Sequence, residues 1–206
     1  MDATPTYEIF AMRYAVLKER ERHENFISAD PHDGPMPLDY FIWAIVGAGR
    51  TIVVDTGFGA AEAERRGREL LCLPKDALAQ IGIEAATVED VIITHLHYDH
   101  AGTSADFPHA RFHLQDLEMQ FATGRYMRHE AMRHAFSVDD VVEIVRRVYD
   151  GRVVFHDGDD ESLAMLLKSW GRCVCSNLAV LSRWSCGVMT RHRGDLNVRV
   201  FCVNST

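Results

Sequence analysis

The chain has 206 residues, 47% of them hydrophobic, which is enough apolar content for a sizeable buried core and one or two domains. Its net charge of −8 argues against a nucleic-acid partner, which needs a basic face. No apolar run is long enough to span a membrane and the N-terminus shows no signal peptide, so no membrane partner is expected.

Residues 1–160 alternate between strand-like apolar runs and helix-like segments, which predicts an α/β fold. Strands are expected at 7–17, 40–46, 51–54, 91–94, 111–114 and 152–156. Helices are expected at 60–71, 73–81, 115–122, 127–136 and 138–149. The Gly-Ala-Gly-Arg sequence at 47–50 predicts a hairpin between the second and third strands.

Four side chains of metal-ligating type fall within six residues, directly after the apolar run 91–93. They are His95, His97, Asp99 and His100. Histidine is the commonest side-chain metal ligand, and a carboxylate completes sites for zinc and similar ions. A sharp loop at the strand end can turn the first two toward one ion and the last two toward a second. A polar loop that merely caps the strand is the disfavoured alternative.

The sequence His95-Leu96-His97-Tyr98-Asp99-His100 resembles the H-x-H-x-D-H signature of the metallo-β-lactamase fold hydrolases. The Thr-Ile-Val-Val-Asp-Thr-Gly sequence at 51–57 resembles the strand and D-T-G turn that precede that signature. The segments 37–43 and 101–102 are most similar to the N-acyl homoserine lactone lactonase branch. The resemblance runs from about residue 7 to 160 and implies the N-terminal half of an αββα sandwich.

The resemblance also implies a site and a reaction. His95 and His97 would hold one zinc ion and Asp99 and His100 a second, with iron, manganese or cobalt as alternatives. Asp55 would orient a ligand or the signature loop through hydrogen bonds. A metal-bridged hydroxide would open a lactone or similar acyl substrate, with Asp99 moving a proton to the leaving alkoxide. A quorum-quenching role is expected, and homo-oligomerisation is left open.

Residues 161–206 have a different composition, which predicts an atypical basic, cysteine-rich tail. Residues 1–160 carry a net charge of −12 and the tail one of +4, and four of the five cysteines lie in the tail. Residues 182–186, followed by 191–193, show neither helical nor strand periodicity, so an irregular tail is expected. The odd, uneven cysteine set favours a reducing cytoplasm over a disulfide framework.

The tail does not contain the third metal histidine, in a Gly-His turn, or the bridging aspartate that the lactonase-like relatives have. Residues 163–165 and 187–189 can be encoded by bases that spell Gly-His and Ser-Asp when read one base earlier, so the tail is hypothesised to be a frameshift product. His156 and His192 are the histidines that remain downstream of residue 134, and His156, at a strand end, is the alternative third ligand. Two ligands per ion predict weak metal binding and little turnover. A non-catalytic metal-binding or interaction protein is therefore the alternative function.

Overall fold

The computed structural model describes residues 6–25, 32–157, 189–193 and 196–204. In these ranges one mixed sheet has the strand order β7-β6-β5-β3-β2-β1-β9-β8, with β4 also paired to β1. The strands are β1 (Thr6–Leu17), β2 (Leu38–Gly47), β3 (Arg50–Val54), β4 (Glu69–Leu70), β5 (Asp90–Ile92), β6 (Arg111–Gln115), β7 (Val153–His156), β8 (Met189–Arg193) and β9 (Leu196–Asn204). Strands β3, β5, β6 and β7 run parallel to one another, so their carboxyl ends meet at one edge.

The helices connect these parallel strands. They are α1 (Ala60–Arg66), α2 (Pro74–Ala79), α3 (Tyr98–Ala101), α4 (Asp116–Ala122), α5 (Glu130–Arg133) and α6 (Val138–Tyr149). Short 3-10 turns lie at Arg22–Asn25, Ala85–Thr87, Ser104–Asp106 and Arg125–Arg128. Within the described ranges, no helix combines the length and the apolar character needed to cross a bilayer.

The two faces of the sheet are both apolar, because successive side chains of a strand point to opposite faces. On β3, Val53 joins the larger core cluster, to which Leu78 of α2 and Ile144 of α6 also belong. Its neighbours Ile52 and Val54 join the second cluster, together with residues of β1, β2 and β5. The near-continuous apolar runs of the central strands therefore reflect burial on both faces.

The predicted α/β architecture is confirmed, and helix α6 matches its predicted range. Two predicted helices are wrong in extent. The helix expected at 60–71 ends at Arg66, because Gly67 adopts a left-handed conformation (φ 64°) that terminates it. The helix expected at 127–136 is split into a 3-10 turn and the short α5, because His129 between them is extended (φ −91°, ψ 124°). Phe136 then pairs with His97 in an isolated bridge.

The tail contributes two strands that were not predicted from the sequence. Strand β9 runs parallel to β1 in the register Phe10↔Phe201, and the rings of these two residues stack with centroids 4.9 Å apart. Strand β8 pairs antiparallel with β9. Residues 191–193 therefore belong to a strand, Met189–Arg193, despite their lack of strand periodicity. Residues 158–188, where the frameshift hypothesis mainly falls, lie outside the described part of the chain.

Candidate metal centre

Two neighbouring parallel strands deliver the predicted ligands to the same edge of the sheet. Asp55 follows β3, and the segment containing His95 follows β5. The two strands are in the register Val54↔Ile92, and the Asp55 N–H donates to the carbonyl oxygen of Ile92 over 2.8 Å. Open α/β sheets place functional groups at the carboxyl ends of parallel strands, as here.

The loop after β5 is fixed by backbone hydrogen bonds to three other parts of the chain. The Leu96 N–H donates to Glu118 Oε1 of α4 over 2.8 Å. The Tyr98 N–H donates to the Ala135 carbonyl over 2.9 Å, and the Thr56 N–H donates to the His100 carbonyl over 2.7 Å. The loop then enters α3, whose first turn contains Asp99. Its ligand-bearing backbone is therefore set by tertiary contacts.

The four predicted ligands come together as two pairs of donor atoms. Nε2 of His95 lies 3.1 Å from Nδ1 of His97. Oδ2 of Asp99 lies 3.4 Å from Nε2 of His100. Two ligands on one tetrahedral zinc ion, at bond lengths near 2.0–2.1 Å, lie about 3.3 Å apart. Both pairs have nearly this separation, and nitrogen and carboxylate oxygen are donors that zinc accepts. The residues therefore fit the expected metal, two donors to each ion.

A third protein donor for either ion is not found in the described ranges, where no three His, Cys, Asp or Glu side chains are arranged to hold one metal. The alternative ligand His156 belongs to a different cluster, because its Nε2 lies 3.0 Å from Nδ1 of His113. His113 in turn lies 3.1 Å from Asp90 Oδ1 through its Nε2. Each pair thus falls one donor short of the three that a catalytic zinc normally has.

Asp55 lies behind the ligands and is only 3% exposed. Its Oδ1 accepts the Thr94 N–H over 2.8 Å, and its Oδ2 lies 2.8 Å from Nδ1 of His100. Its backbone has a φ of 62°, a left-handed conformation that aspartate tolerates better than most residues. The Thr94 side chain also contacts Asp55, and its role was not predicted from the sequence.

Comparison with known proteins identifies the family. A sequence model described as the metallo-beta-lactamase superfamily matches residues 36–163. The chain belongs to the metallo-beta-lactamase superfamily. Probable metallo-hydrolases of Mycobacterium tuberculosis and Mycobacterium bovis are each 30% identical over 95 residues, a match that covers 40% of this chain and 31% of each relative. The chain therefore spans about a third of the length of these curated relatives.

Several solved structures share the fold. A quorum-quenching N-acyl homoserine lactone lactonase superposes with a TM-score of 0.57 at 18% identity, covering 78% of this chain and 61% of that one. An N-acyl homoserine lactone hydrolase with N-hexanoyl-L-homoserine at its catalytic metal center gives a TM-score of 0.55 at 16% identity, covering 78% and 62%. A probable metal-dependent hydrolase from Staphylococcus aureus gives 0.54 at 14% identity, covering 75% and 60%. The predicted superfamily, its fold and the lactonase-like resemblance are confirmed.

Burial and neighbouring charges give the four candidate ligands different pKa values and therefore different protonation states near pH 7. Burial lowers the pKa of His95 and His97, which keeps both rings neutral and able to ligate near pH 7. Burial opposes the charge on Asp99, but its hydrogen bond with His100 lowers its pKa. For His100, burial is outweighed by hydrogen bonds with Asp55 and Asp99, which raise its pKa to about 10. A metal that binds His100 must therefore displace a proton.

A cleft of about 820 Å³ adjoins the first donor pair of this metallo-beta-lactamase-like site. Phe136, which lines it, packs edge-on against the His97 ring with centroids 4.7 Å apart. Met127 also lines the cleft, whereas Tyr126 stacks on Phe121. The other lining residues are Ala61, Glu62, Arg65, Arg66, Ala122, Glu130, Arg133, His134, Ser137, Val138, Asp139 and Val141. The cleft is thus apolar in part and contains both signs of charge.

Asp140 lies beside this cleft, in the first turn of α6, and its carboxyl group is partly buried. Burial raises its pKa from the ordinary 3.8 to about 6, with smaller contributions from the charges of Glu62 and Asp139. The Ser137 hydrogen bond and the Arg66 charge oppose this shift. An acid whose pKa rises on folding favours the folded state at low pH, and that contribution is lost as the pH rises through 3.8 to about 6.

We therefore expect Asp140→Asn to increase the free energy of unfolding at pH 7.5. The expected gain is about 1–2 kcal/mol, since one pKa unit corresponds to about 1.4 kcal/mol and partial exposure reduces the effect. The free energy of unfolding of the wild type should fall between pH 4 and 6, and this fall should be absent in the variant. Urea unfolding across this pH range checks both results. The exposed neighbour provides the control, because Asp139→Asn should change stability by less than about 1 kcal/mol. Equal behaviour of the two variants would contradict the assignment.

Proposed function

We propose that this chain is a metal-dependent hydrolase that opens lactones of the N-acyl homoserine type. The observation that carries the proposal is the pair of donor sets, His95 with His97 and Asp99 with His100, at separations of 3.1 and 3.4 Å. Both lie at the carboxyl end of parallel strands in a superfamily of hydrolases.

In this proposal the first pair holds one ion and the second pair the other. Zinc is the first choice, and iron, manganese or cobalt suit the same donors. When bound, such ions polarise a carbonyl and make water a nucleophile at neutral pH. Thr94 contacts Nδ1 of His95 and of His100, and Asp55 contacts Nδ1 of His100, so both residues orient the ligand rings. Asp99, which would ligate through Oδ2, would take the proton released by the attacking water at its other carboxylate oxygen and pass it to the leaving alkoxide.

The structural neighbours support the substrate class. One is a quorum-quenching lactonase, and another holds N-hexanoyl-L-homoserine at its metal center. The cleft that begins at Phe136 offers partly apolar space beside His97 for the acyl part of a lactone. A chain with this activity would degrade acyl homoserine lactone signals, which is the proposed quorum-quenching role.

A second candidate function is a metal-binding protein without catalytic activity. The observation that favours it is the shortage of donors, because each ion receives two donors from the described residues. Ions held this way bind weakly and exchange readily, since catalytic zinc usually has three protein ligands. Turnover by this chain is therefore expected to be slow relative to a complete site.

The two candidates are separated by lactone hydrolysis in Asp99→Asn. The zinc-loaded chain should open N-hexanoyl homoserine lactone slowly but measurably, and Asp99→Asn should reduce the rate by at least about 100-fold. Asp106→Asn is the matched control, since Asp106 pairs with Lys75 on the surface and should leave the rate unchanged. Ring opening followed by liquid chromatography gives the rates. A zinc-bound chain with no hydrolysis above the Asp99→Asn level would reject the lactonase in favour of the metal-binding protein.

A further inference from the structure

The hydroxyl group of Thr94 lies at the junction of both donor pairs. Its Oγ1 lies 2.9 Å from each carboxylate oxygen of Asp55. The same atom lies 3.0 Å from Nδ1 of His95 and 3.2 Å from Nδ1 of His100. His95 belongs to the first donor pair and His100 to the second. The Thr94 side chain therefore contacts Nδ1 of one histidine ligand in each pair.

The hydrogen-bonding capacity of a hydroxyl group decides the direction of these contacts. A threonine hydroxyl has one proton to donate and two lone pairs to accept with, while a carboxylate only accepts. The proton of Thr94 is therefore donated to Asp55. The His95 imidazole must then donate from an N–H at Nδ1, which leaves its Nε2 for a metal. Nδ1 of His100, which lies 2.8 Å from Asp55 Oδ2 and 3.2 Å from Thr94 Oγ1, also carries a hydrogen, and the Nε2 of this ring becomes available once a metal displaces its proton.

We propose that Thr94 is a positioning residue shared by the two halves of the metal centre. Its hydroxyl, held by Asp55, stabilises the Nδ1–H form of His95 and, together with Asp55, orients the ring of His100 through Nδ1, so that one Nε2 donor of each pair faces its ion. The metal part of this inference rests on the proposed function, whereas the tautomer of His95 follows from the hydrogen bonds alone. Hydrogen-bonding partners behind metal-binding histidines typically change metal affinity 10–100-fold.

Two substitutions separate the hydroxyl group from the shape of the side chain. Thr94→Val keeps the branched shape and removes the hydroxyl, which leaves Asp55 and both rings without this partner. Thr94→Ser keeps the hydroxyl and removes one methyl group. If Thr94 only fills space at the end of β5, valine should be the milder change. If the hydroxyl positions the rings, serine should be the milder change.

The first test uses the metal-free full chain at pH 7.5. Long-range proton–nitrogen correlation spectra of ring-labelled histidine report the tautomer of His95, whose ring is neutral at this pH. We expect the Nδ1–H form in the wild type and in Thr94→Ser, and a clear shift toward the Nε2–H form in Thr94→Val. The exposed His109 should be the same in all three proteins. An unchanged His95 tautomer in Thr94→Val would overturn the proposal.

The second test is titration of the same proteins with Co²⁺, followed by visible absorption. We expect Thr94→Val to weaken both equivalents of Co²⁺ by about 10–100-fold and Thr94→Ser to stay within about threefold of the wild type. Weakening of only one equivalent would overturn the shared role. A wild-type chain that binds no Co²⁺ would count against the proposed function, while the tautomer spectra would still decide the role of the Thr94 hydroxyl.

Discussion

Replacement of Asp55 by alanine is expected to lower the free energy of unfolding by about 3–5 kcal/mol, the cost of breaking a buried charge pair by removing one partner. The carboxylate is 3% exposed and accepts from the backbone and hydroxyl of Thr94 while contacting Nδ1 of His100. Its removal leaves these groups unpaired in a buried site. Alanine also tolerates the left-handed backbone at this position less well than aspartate.

Urea unfolding of the metal-free chain measures this effect. Asp106→Ala is the matched control, because its ion pair with Lys75 is partly exposed and should contribute less than about 1 kcal/mol. Asp55→Asn should fall between the wild type and Asp55→Ala, since an amide still accepts one hydrogen bond. A loss below 1 kcal/mol for Asp55→Ala would show that the carboxylate does not hold the loop.

Replacement of Gly57 by alanine is expected to cost about 2–5 kcal/mol of stability. Gly57 has a φ of 72°, and a Cβ there would lie 2.8 Å from both Pro74 Cγ and Tyr14 Cζ. The left-handed backbone costs about 1–2 kcal/mol for a non-glycine residue, and overpacking of the core adds about 1–3 kcal/mol. Tyr14 is fully buried and donates its hydroxyl to the Asp99 carbonyl over 3.2 Å, so a displaced ring should also disturb the metal loop.

Gly49→Ala separates the cost of the left-handed backbone from the cost of overpacking. Gly49 has the same φ of 72°, but a Cβ there would meet nothing within 4 Å. It should therefore lose only the backbone part, about 1–2 kcal/mol. The difference between the two variants in urea unfolding measures the contact with Tyr14 and Pro74. Equal losses would mean that the surroundings of Gly57 relax without cost.

The ligand residues of the candidate site were predictable because they are close together in the sequence. His95, His97, Asp99 and His100 form a motif whose chemistry is visible without a structure. Asp55 was found only through a family resemblance, since it lies far from the motif in the chain. Thr94 adjoins His95, but its contact with Asp55 exists only once β3 and β5 are paired. Roles that depend on tertiary hydrogen bonds were therefore missed.

The fold was predictable where local pattern and tertiary packing agree. Helix α6 shows this agreement, because its apolar stripe faces the core through Val141 and Ile144. The prediction of one helix over 127–136 was wrong because His129 is extended and interrupts it, and because Phe136 pairs with His97 beyond its end, so that tertiary structure overrides local helix propensity. Strand β9 was not predicted for a related reason. It pairs with β1 at the other end of the chain, and this long-range pairing leaves no local signal in the sequence.

The most direct test of the central claim is the number of zinc ions that the full chain binds in isothermal titration calorimetry. Two donor pairs predict two equivalents in the wild type, one in His97→Asn, one in Asp99→Asn, and none in the double variant. Asp106→Asn should bind two. A wild-type chain that binds no zinc, or a double variant that binds as much zinc as the wild type, would contradict the assignment of these residues as the metal centre.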